Sequence, residues 1–173
     1  MGFYEFEGKR PVVGEGAFVH PEATLIGGVT IGKGCYIGVG AVLRGDWGDI
    51  LIGPGSNIQE NCVLHVRPDE MTILGPDCHI GHGAIIHGAS LGRHVMVGMN
   101  AVIHDGVVVG DDVLIGTGCV VLGDQTIPAG KMVLGVPGRI VGEVSAEQKA
   151  AWNTGLKLYQ ALPDRCLSGL RAL

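Results

Sequence analysis

The chain has 173 residues, the length of one domain, and 31 of them are glycine, roughly 18% against a usual ~7%. Its formal net charge of −5 excludes the positive stripe of a nucleic-acid-binding surface, and its short apolar runs exclude a membrane-spanning helix. The amino end lacks the features of a secretory signal, and five cysteines without a CxxC pair fit no disulfide framework. We therefore expect a cytoplasmic protein that binds neither nucleic acid nor a membrane.

An aliphatic residue recurs every six positions from Val13, with longer gaps after Leu43 and Leu64 and one shorter gap after Ile86. Of 21 such positions ending at Arg139, 20 are Val, Ile or Leu, and the next residue is Gly in ten. A small residue usually precedes the aliphatic one by two positions. Because residues two apart on a strand point to the same side, both positions face one interior.

This repeat predicts an all-β fold, a parallel β-helix of about seven triangular coils. Each coil would contain three short strands in about 18 residues, and stacked coils would align like residues in columns. Four cysteines occupy the small interior position, where we expect buried, reduced thiols: Cys35, Cys62, Cys78 and Cys119. The fifth, Cys166, lies outside the repeat.

The period changes after Arg139. Ser145 and Gln148 form the pattern of a capping box, and apolar residues follow at helical spacing until Pro163. We therefore predict a β-helix over residues 1–144 and a helix over roughly 146–162, within a segment 145–163 that packs on it. The tail, residues 164–173, carries no strong signal.

Departures from the repeat are the first candidates for function. The residues that follow the aliphatic position on the third side of successive coils form one outward column: Ile26, Arg44, His65, His87, His104, Leu122 and Ile140. Neighbouring strands lie ~4.8 Å apart, so two stacked imidazoles can lean onto one metal ion. His65 and His87 are the pair that we expect to do so.

A zinc site needs a third protein ligand, and His82 is near in sequence. However, His82 falls on the second side of its coil and points away from the column of His65 and His87. A neighbouring subunit could bring its second side against this third side, and three such contacts close a ring. The sequence therefore predicts a homotrimer with a metal shared between subunits.

Four features together resemble the γ-class carbonic anhydrase family over residues 10–162: Arg44-Gly-Asp46, Asn57-Ile-Gln59, the six-residue step from Gln59 to His65, and His82-x4-His87. Within that family the chain is most similar to the branch of accessory proteins from phenylacetic-acid degradation and carnitine operons. The resemblance implies a left-handed β-helix.

The resemblance also implies residue roles. Zinc, or iron or cobalt, would be held by His65 and His87 of one subunit and by His82 of the adjacent one. An ion pair of Arg44 and Asp46 would organise the subunit interface. Gln59 would hydrogen-bond the metal-bound water, and Tyr159 would overhang the metal from the carboxy-terminal helix. The remaining histidines match no ligand of the family and are expected to be structural or surface residues: His20, His79, His94 and His104.

The reaction expected from this family is attack of metal-bound hydroxide on CO2, which gives bicarbonate. Three alternatives stay open: a thioesterase that acts on acyl-CoA in phenylacetate degradation, a metal-free hexapeptide acyltransferase, and a purely structural subunit. The insertion after His65 adds only four residues, Asp69 and Glu70 among them, whereas the best-studied active members carry a long acidic loop. This difference argues against fast CO2 turnover.

Overall fold

In a computed structural model, which describes residues 2–172, the chain forms a parallel β-helix followed by two helices. The strands in chain order are β1 (Gly2–Tyr4), β2 (Val12–Val13), β3 (Phe18–Val19), β4 (Thr24–Ile31), β5 (Tyr36–Ile37), β6 (Val42–Ile52), β7 (Asn57–Ile58), β8 (Val63–His65), β9 (Met71–Leu74), β10 (His79–Ile80), β11 (Ile85–His87), β12 (Ser90–Leu91), β13 (Met96–Val97), β14 (Val102–Ile103), β15 (Val108–Val109), β16 (Leu114–Ile115), β17 (Val120–Val121), β18 (Thr126–Ile127), β19 (Lys131–Leu134) and β20 (Arg139–Glu143).

The six-residue repeat places these strands on three faces, as predicted. The first face comprises β2, the second halves of β4 and β6, then β9, β12, β15 and β18. The second face comprises β3, β5, β7, β10, β13, β16 and β19. The third face comprises β1, the first halves of β4 and β6, then β8, β11, β14 and β17. The prediction of a parallel β-helix of about seven coils is confirmed.

The interior is filled by the aliphatic and small positions of the repeat. Stacked residues such as Leu43, Leu64 and Ile86 are fully buried, and their strands pair in parallel register. Burying such side chains is the main stabilising contribution, at ~1.5–3 kcal/mol for each. The four interior cysteines are buried as free thiols, and burial raises the pKa of Cys62 to about 11, so it is inert near neutral pH.

Glycine after the aliphatic position allows adjacent coils to approach. A Cβ atom placed on Gly32 would lie 2.6 Å from the backbone nitrogen of Pro54 in the next coil. A larger side chain fits at the position after the aliphatic residue only where the coils leave room. The histidines at this position are therefore candidates for a functional role.

The carboxy-terminal end of the β-helix differs from the repeat prediction. Instead of extending the third face, Arg139 and Ile140 lie on β20, which folds back antiparallel to β19 on the second face. The placement of Ile140 in the third-face column is therefore wrong. The turn through Gly135, Pro137 and Gly138 redirects the chain, and the antiparallel strand covers an edge that would otherwise stay open.

Helix α1 (Ala146–Gln160) begins at the capping box, where the Ser145 side chain accepts from the Gln148 amide and the Gln148 side chain accepts from the Ser145 amide. Trp152 and Leu156 face the β-helix and are buried. Helix α2 (Leu162–Gly169) follows, so most of the tail that carried no sequence signal is helical. Pro163 is tolerated there because it lies in the first turn, where its missing amide has no helical partner.

Within residues 2–172, neither helix has the length and apolar character needed to cross a bilayer.

Candidate active site

Two histidines of the third face lie side by side. His65 ends β8 and His87 ends β11, and these strands pair so that the two residues are directly opposite. Nδ1 of His65 lies 2.9 Å from Nε2 of His87, and the ring centroids are 4.9 Å apart. The side chain of His65 is 7% exposed, whereas that of His87 is 34% exposed. The pair therefore presents two converging ring nitrogens at the protein surface.

Carboxylates hold the outer nitrogens of this pair. Asp46 Oδ1 lies 3.1 Å from His65 Nε2, and Asp105 Oδ1 lies 2.5 Å from His87 Nδ1. Each carboxylate also pairs with an arginine: Arg44 Nη1 is 2.8 Å from Asp46 Oδ2, and Arg67 Nη2 is 2.9 Å from Asp105 Oδ2. These contacts fix both imidazole rings with their remaining nitrogens facing each other.

The surroundings of His65 favour its neutral imidazole and the ionised carboxylate of Asp46. Burial lowers the pKa of His65, and the neighbouring Arg44 lowers it further, although Asp46 opposes both effects. Burial alone would raise the pKa of Asp46, but the hydrogen bonds from Arg44 and His65 keep it below its ordinary value. Neutral imidazoles are the form that binds metal ions.

His82 lies away from this pair, in the turn after β10 on the second face. Its Nδ1 is 2.6 Å from Glu60 Oε2, and its side chain is 47% exposed. The hydroxyl of Tyr36 donates to Glu60 Oε1 at 3.0 Å, which holds the carboxylate in place. His82 thus also has one nitrogen held by a carboxylate, and no hydrogen-bond partner among residues 2–172 reaches its Nε2, whereas Nδ1 of His65 lies 3.3 Å from Arg44 Nη2 as well as facing His87.

A groove of about 240 Å³ adjoins His82. Gln59, His79, Met96 and Tyr159 are among the residues that line it. Gln59 is buried, and its Nε2 lies 3.0 Å from both Asn57 Oδ1 and His79 Nε2. The Tyr159 ring packs edge-on against His79, with centroids 5.1 Å apart. The structure therefore groups Gln59 and Tyr159 with His82 rather than with His65 and His87.

The ligands predicted for a metal do not meet within one chain. Among residues 2–172, no three His, Cys, Asp or Glu side chains are arranged to hold an ion. The donor chemistry nevertheless fits a metal, because all three predicted ligands have one nitrogen against a carboxylate. A carboxylate behind a ligating histidine orients the ring and raises its basicity, and this pairing is typical of metal sites.

The other histidines lack that combination. His79 contacts the amides of Asn57 and Gln59. His94 has both nitrogens occupied, by Asp112 and Asn153, and stacks on Trp152 with centroids 4.2 Å apart. It therefore anchors helix α1 to the β-helix. His104 is exposed.

Sequence reasoning did not identify Glu60, Asp105 or His79 as part of the site. Asp105 lies one coil beyond His87, and Glu60 lies one coil before His82. The available signal was an acidic residue about one coil from each predicted ligand, which is visible only once the coils are stacked.

Comparisons with known proteins agree with this architecture. The family Bacterial transferase hexapeptide (six repeats) matches residues 10–45 and 88–123. The carnitine operon protein CaiE of Escherichia coli (strain K12) is 44% identical over 96% of this chain and 85% of that protein. CaiE of Salmonella agona is 43% identical over 98% of this chain and 86% of that protein. A solved hexapeptide transferase family protein from Anaplasma phagocytophilum has 31% identity and a TM-score of 0.90, covering 94% of this chain and 96% of that one.

Proposed function

This chain belongs to the hexapeptide-repeat family, on the branch that contains the carnitine operon protein CaiE. From the surroundings of its histidines, and not from that family match, we propose that it is a metal-dependent enzyme of the carbonic anhydrase type. The reaction is the reversible hydration of CO2 to bicarbonate at a site formed between two subunits of a trimer. The observation that carries this proposal is the shared environment of His65, His82 and His87. Each has a carboxylate on one ring nitrogen. The second nitrogens of His65 and His87 face each other, and that of His82 has no hydrogen-bond partner among residues 2–172, whereas Asn153 occupies the second nitrogen of His94.

The residues that would hold the metal come from two subunits. His65 and His87 of one third face would supply two nitrogens, and His82 of the partner subunit would supply the third. Exposed apolar side chains on the third face next to the pair, Val63 and Ile85, favour such a contact because they would be buried by it. We expect zinc, with iron or cobalt as alternatives, since neutral imidazole suits all three.

When bound, such an ion supplies Lewis acidity that makes water a nucleophile near neutral pH. Side chains of this protein orient the histidines that would bind the ion. Asp46, Asp105 and Glu60 hold the imidazole rings in orientation, and Arg44 and Arg67 keep two of these carboxylates ionised. Met96 gives the groove an apolar edge.

Gln59 has a different role. Its amide does not titrate, so it orients a reacting water by hydrogen bonding rather than by removing a proton. It lies in the same groove as His82, and no donor among residues 2–172 reaches its Oε1 atom. The atom is therefore available to accept a hydrogen bond from water. Tyr159, on helix α1, lines the wall of the groove that faces the β-helix residues.

The test is metal analysis of the purified trimer together with an assay of CO2 hydration. One metal ion per subunit, lost together with hydration in His82→Ala, supports the proposal. A monomer by sedimentation that keeps one metal per chain would contradict it.

A second candidate function is acyl transfer from coenzyme A, or hydrolysis of an acyl-CoA thioester. The transferase family match supports it, as does the pair of His82 and Glu60. A histidine oriented by a carboxylate, with its other nitrogen facing a groove, can act as a general base. In this function the base would take a proton from the acceptor as the acceptor attacks the thioester carbonyl. The C–S bond then breaks, and the protonated base returns the proton to the departing coenzyme A thiolate, which leaves as the free thiol.

The two functions differ in their need for metal. A chelated, metal-free protein that keeps full acyl-transfer or thioesterase activity favours the second function. Loss of all turnover on chelation, with recovery on zinc addition, favours the first or a metal-dependent thioesterase. Parallel assays with CO2 and with an aryl-acetyl-CoA then distinguish these two substrates.

A further inference from the structure

Asn57, Gln59 and His79 form a closed triangle of polar side chains beneath Tyr159, and we call it the amide–imidazole triangle. All three residues are buried, at 1%, 2% and 8% exposure. Asn57 and His79 are directly opposite in the pairing of β7 with β10. Every side of the triangle is a hydrogen-bond distance: 3.0 Å from Gln59 Nε2 to Asn57 Oδ1, 3.0 Å from Gln59 Nε2 to His79 Nε2, and 3.2 Å from Asn57 Nδ2 to His79 Nδ1.

A neutral imidazole cannot satisfy all three sides. It has one N–H donor and one acceptor nitrogen, whereas the two amides face it with NH2 groups that both donate. If Nδ1 accepts from Asn57, then Nε2 carries the proton and opposes the NH2 group of Gln59. If Nε2 accepts instead, Nδ1–H opposes Asn57. Turning either amide moves the conflict to another side, so two hydrogen bonds is the maximum.

The side-chain positions in the structure satisfy two sides at once. Gln59 Nε2 uses its two hydrogens on Asn57 Oδ1 and on His79 Nε2, which makes His79 the Nδ1–H tautomer and leaves the 3.2 Å contact of Asn57 Nδ2 with His79 Nδ1 unmet. The Gln59 oxygen then faces the groove as an acceptor. In the Nε2–H tautomer, Gln59 would accept from His79 and present its NH2 group to the groove. The tautomer of His79 thus decides which end of the Gln59 amide meets a reacting water.

We propose that His79 is a positioning residue for Gln59: as the Nδ1–H tautomer it accepts at Nε2 from the Gln59 amide, which Asn57 Oδ1 also holds, so that the Gln59 oxygen faces the groove beside His82. This inference rests on the proposed role of Gln59 in orienting water. An accepting oxygen suits a water that donates one proton to Gln59 and keeps a lone pair for attack on carbon. The arrangement needs neutral His79, which its burial beneath Tyr159 favours, since burial lowers its pKa to about 4.

A direct test is nitrogen-15 NMR of the imidazoles in the purified full chain near pH 7. We expect the His79 signals of the Nδ1–H tautomer, with Nε2 as an acceptor. Signals of the Nε2–H tautomer, or of an imidazolium, would overturn the proposal. Because this measurement needs no turnover, it decides the positioning of Gln59 even if the protein fails to hydrate CO2, and such a failure would count against the proposed function alone.

Variants give the kinetic test. His79→Phe keeps a ring beneath Tyr159 without the acceptor, and we expect kcat to fall at least about 10-fold with KM nearly unchanged and metal content intact. His79→Gln, which can restore an acceptor, should recover part of the loss. Adding Gln59→Ala to His79→Phe should cause little further loss, because both act on one interaction. Independent, multiplying losses would overturn the proposal, as would an equal defect in a matched His104→Phe control.

Discussion

His65 Nδ1 lies 2.9 Å from His87 Nε2, although 22 residues separate them in the chain. Parallel register between β8 and β11 places these residues opposite each other, and Asp46 and Asp105 hold their outer nitrogens. Two ring nitrogens at this separation can turn toward one shared ion.

Metal content should depend on three histidines and not on a fourth. His65→Ala, His82→Ala and His87→Ala should each remove most of the bound metal, because a site with two imidazoles binds far more weakly than one with three. Elemental analysis of purified protein measures this effect. His104→Ala is the control, since His104 is exposed and extends the same outward column by one coil. If His104→Ala lost metal to the same extent, the metal site would lie one coil further along the column than predicted.

The carboxylate behind His87 should tune metal affinity without being a ligand. Asp105→Asn keeps the shape of the side chain but weakens its hydrogen bond to His87 Nδ1 and its pairing with Arg67. We expect a loss of metal affinity of roughly 10- to 100-fold, measured by competition with a chelator. Asp111→Asn is the matched control, because Asp111 contacts Arg93 on a different side of the β-helix. Unchanged metal affinity in Asp105→Asn would show that Asp105 does not support the metal site.

Chemistry and assembly should respond to different substitutions. Gln59→Ala should keep metal and trimer but lower turnover by roughly 10- to 1,000-fold, since one oriented hydrogen bond is lost. Arg44→Ala should instead loosen the trimer, because Asp46 loses its 2.8 Å ion pair near the expected interface. Sedimentation and a stopped-flow hydration assay measure both effects. If Gln59→Ala dissociates the trimer while Arg44→Ala does not, the two roles are reversed.

Stability should fall in acid because of His79. Burial lowers the pKa of His79 from 6.5 to about 4, so between these values the unfolded chain binds more protons than the folded one. The free energy of unfolding should therefore decrease as the pH drops from 6.5 to 4, by up to about 3 kcal/mol from this residue. Urea titrations of the wild type and of His79→Gln across this range measure the contribution.

The variant should show a flatter pH dependence than the wild type. His104→Gln provides the comparison, because His104 is exposed and should leave the slope unchanged. An identical slope in wild type and His79→Gln would show that His79 is not held neutral in the folded protein.

Much of this fold follows from the repeat, because a fixed period stacks like residues. The register of Leu43, Leu64 and Ile86, and the neighbouring positions of His65 and His87, depend only on counting coils. The fold-back at Arg139 could not be predicted in this way, since its aliphatic neighbour Ile140 continues the apparent pattern. At that point the turn residues Gly135, Pro137 and Gly138, and not the six-residue period, determine the direction of the next strand.

The site was predictable only in part. The repeat predicted that His65 and His87 lie side by side and that His82 lies on another face, and the structure agrees. That these three residues bind a metal stays a prediction. Glu60, Asp105 and His79 were not identified, because their roles depend on side chains reaching across one coil. A residue count gives the coil that carries a side chain, but not the rotamer that brings a carboxylate to a particular imidazole nitrogen.

The central claim is that the metal site joins two subunits, and mixed trimers test it most directly. His82→Ala and His87→Ala subunits, each without metal alone, would be unfolded together at equal amounts and refolded. In every mixed trimer one interface brings an intact His82 to an intact pair of His65 and His87, so random assembly should restore roughly one quarter of the wild-type metal content. No recovery of metal in mixed trimers, confirmed by mass spectrometry, would contradict a site shared between subunits.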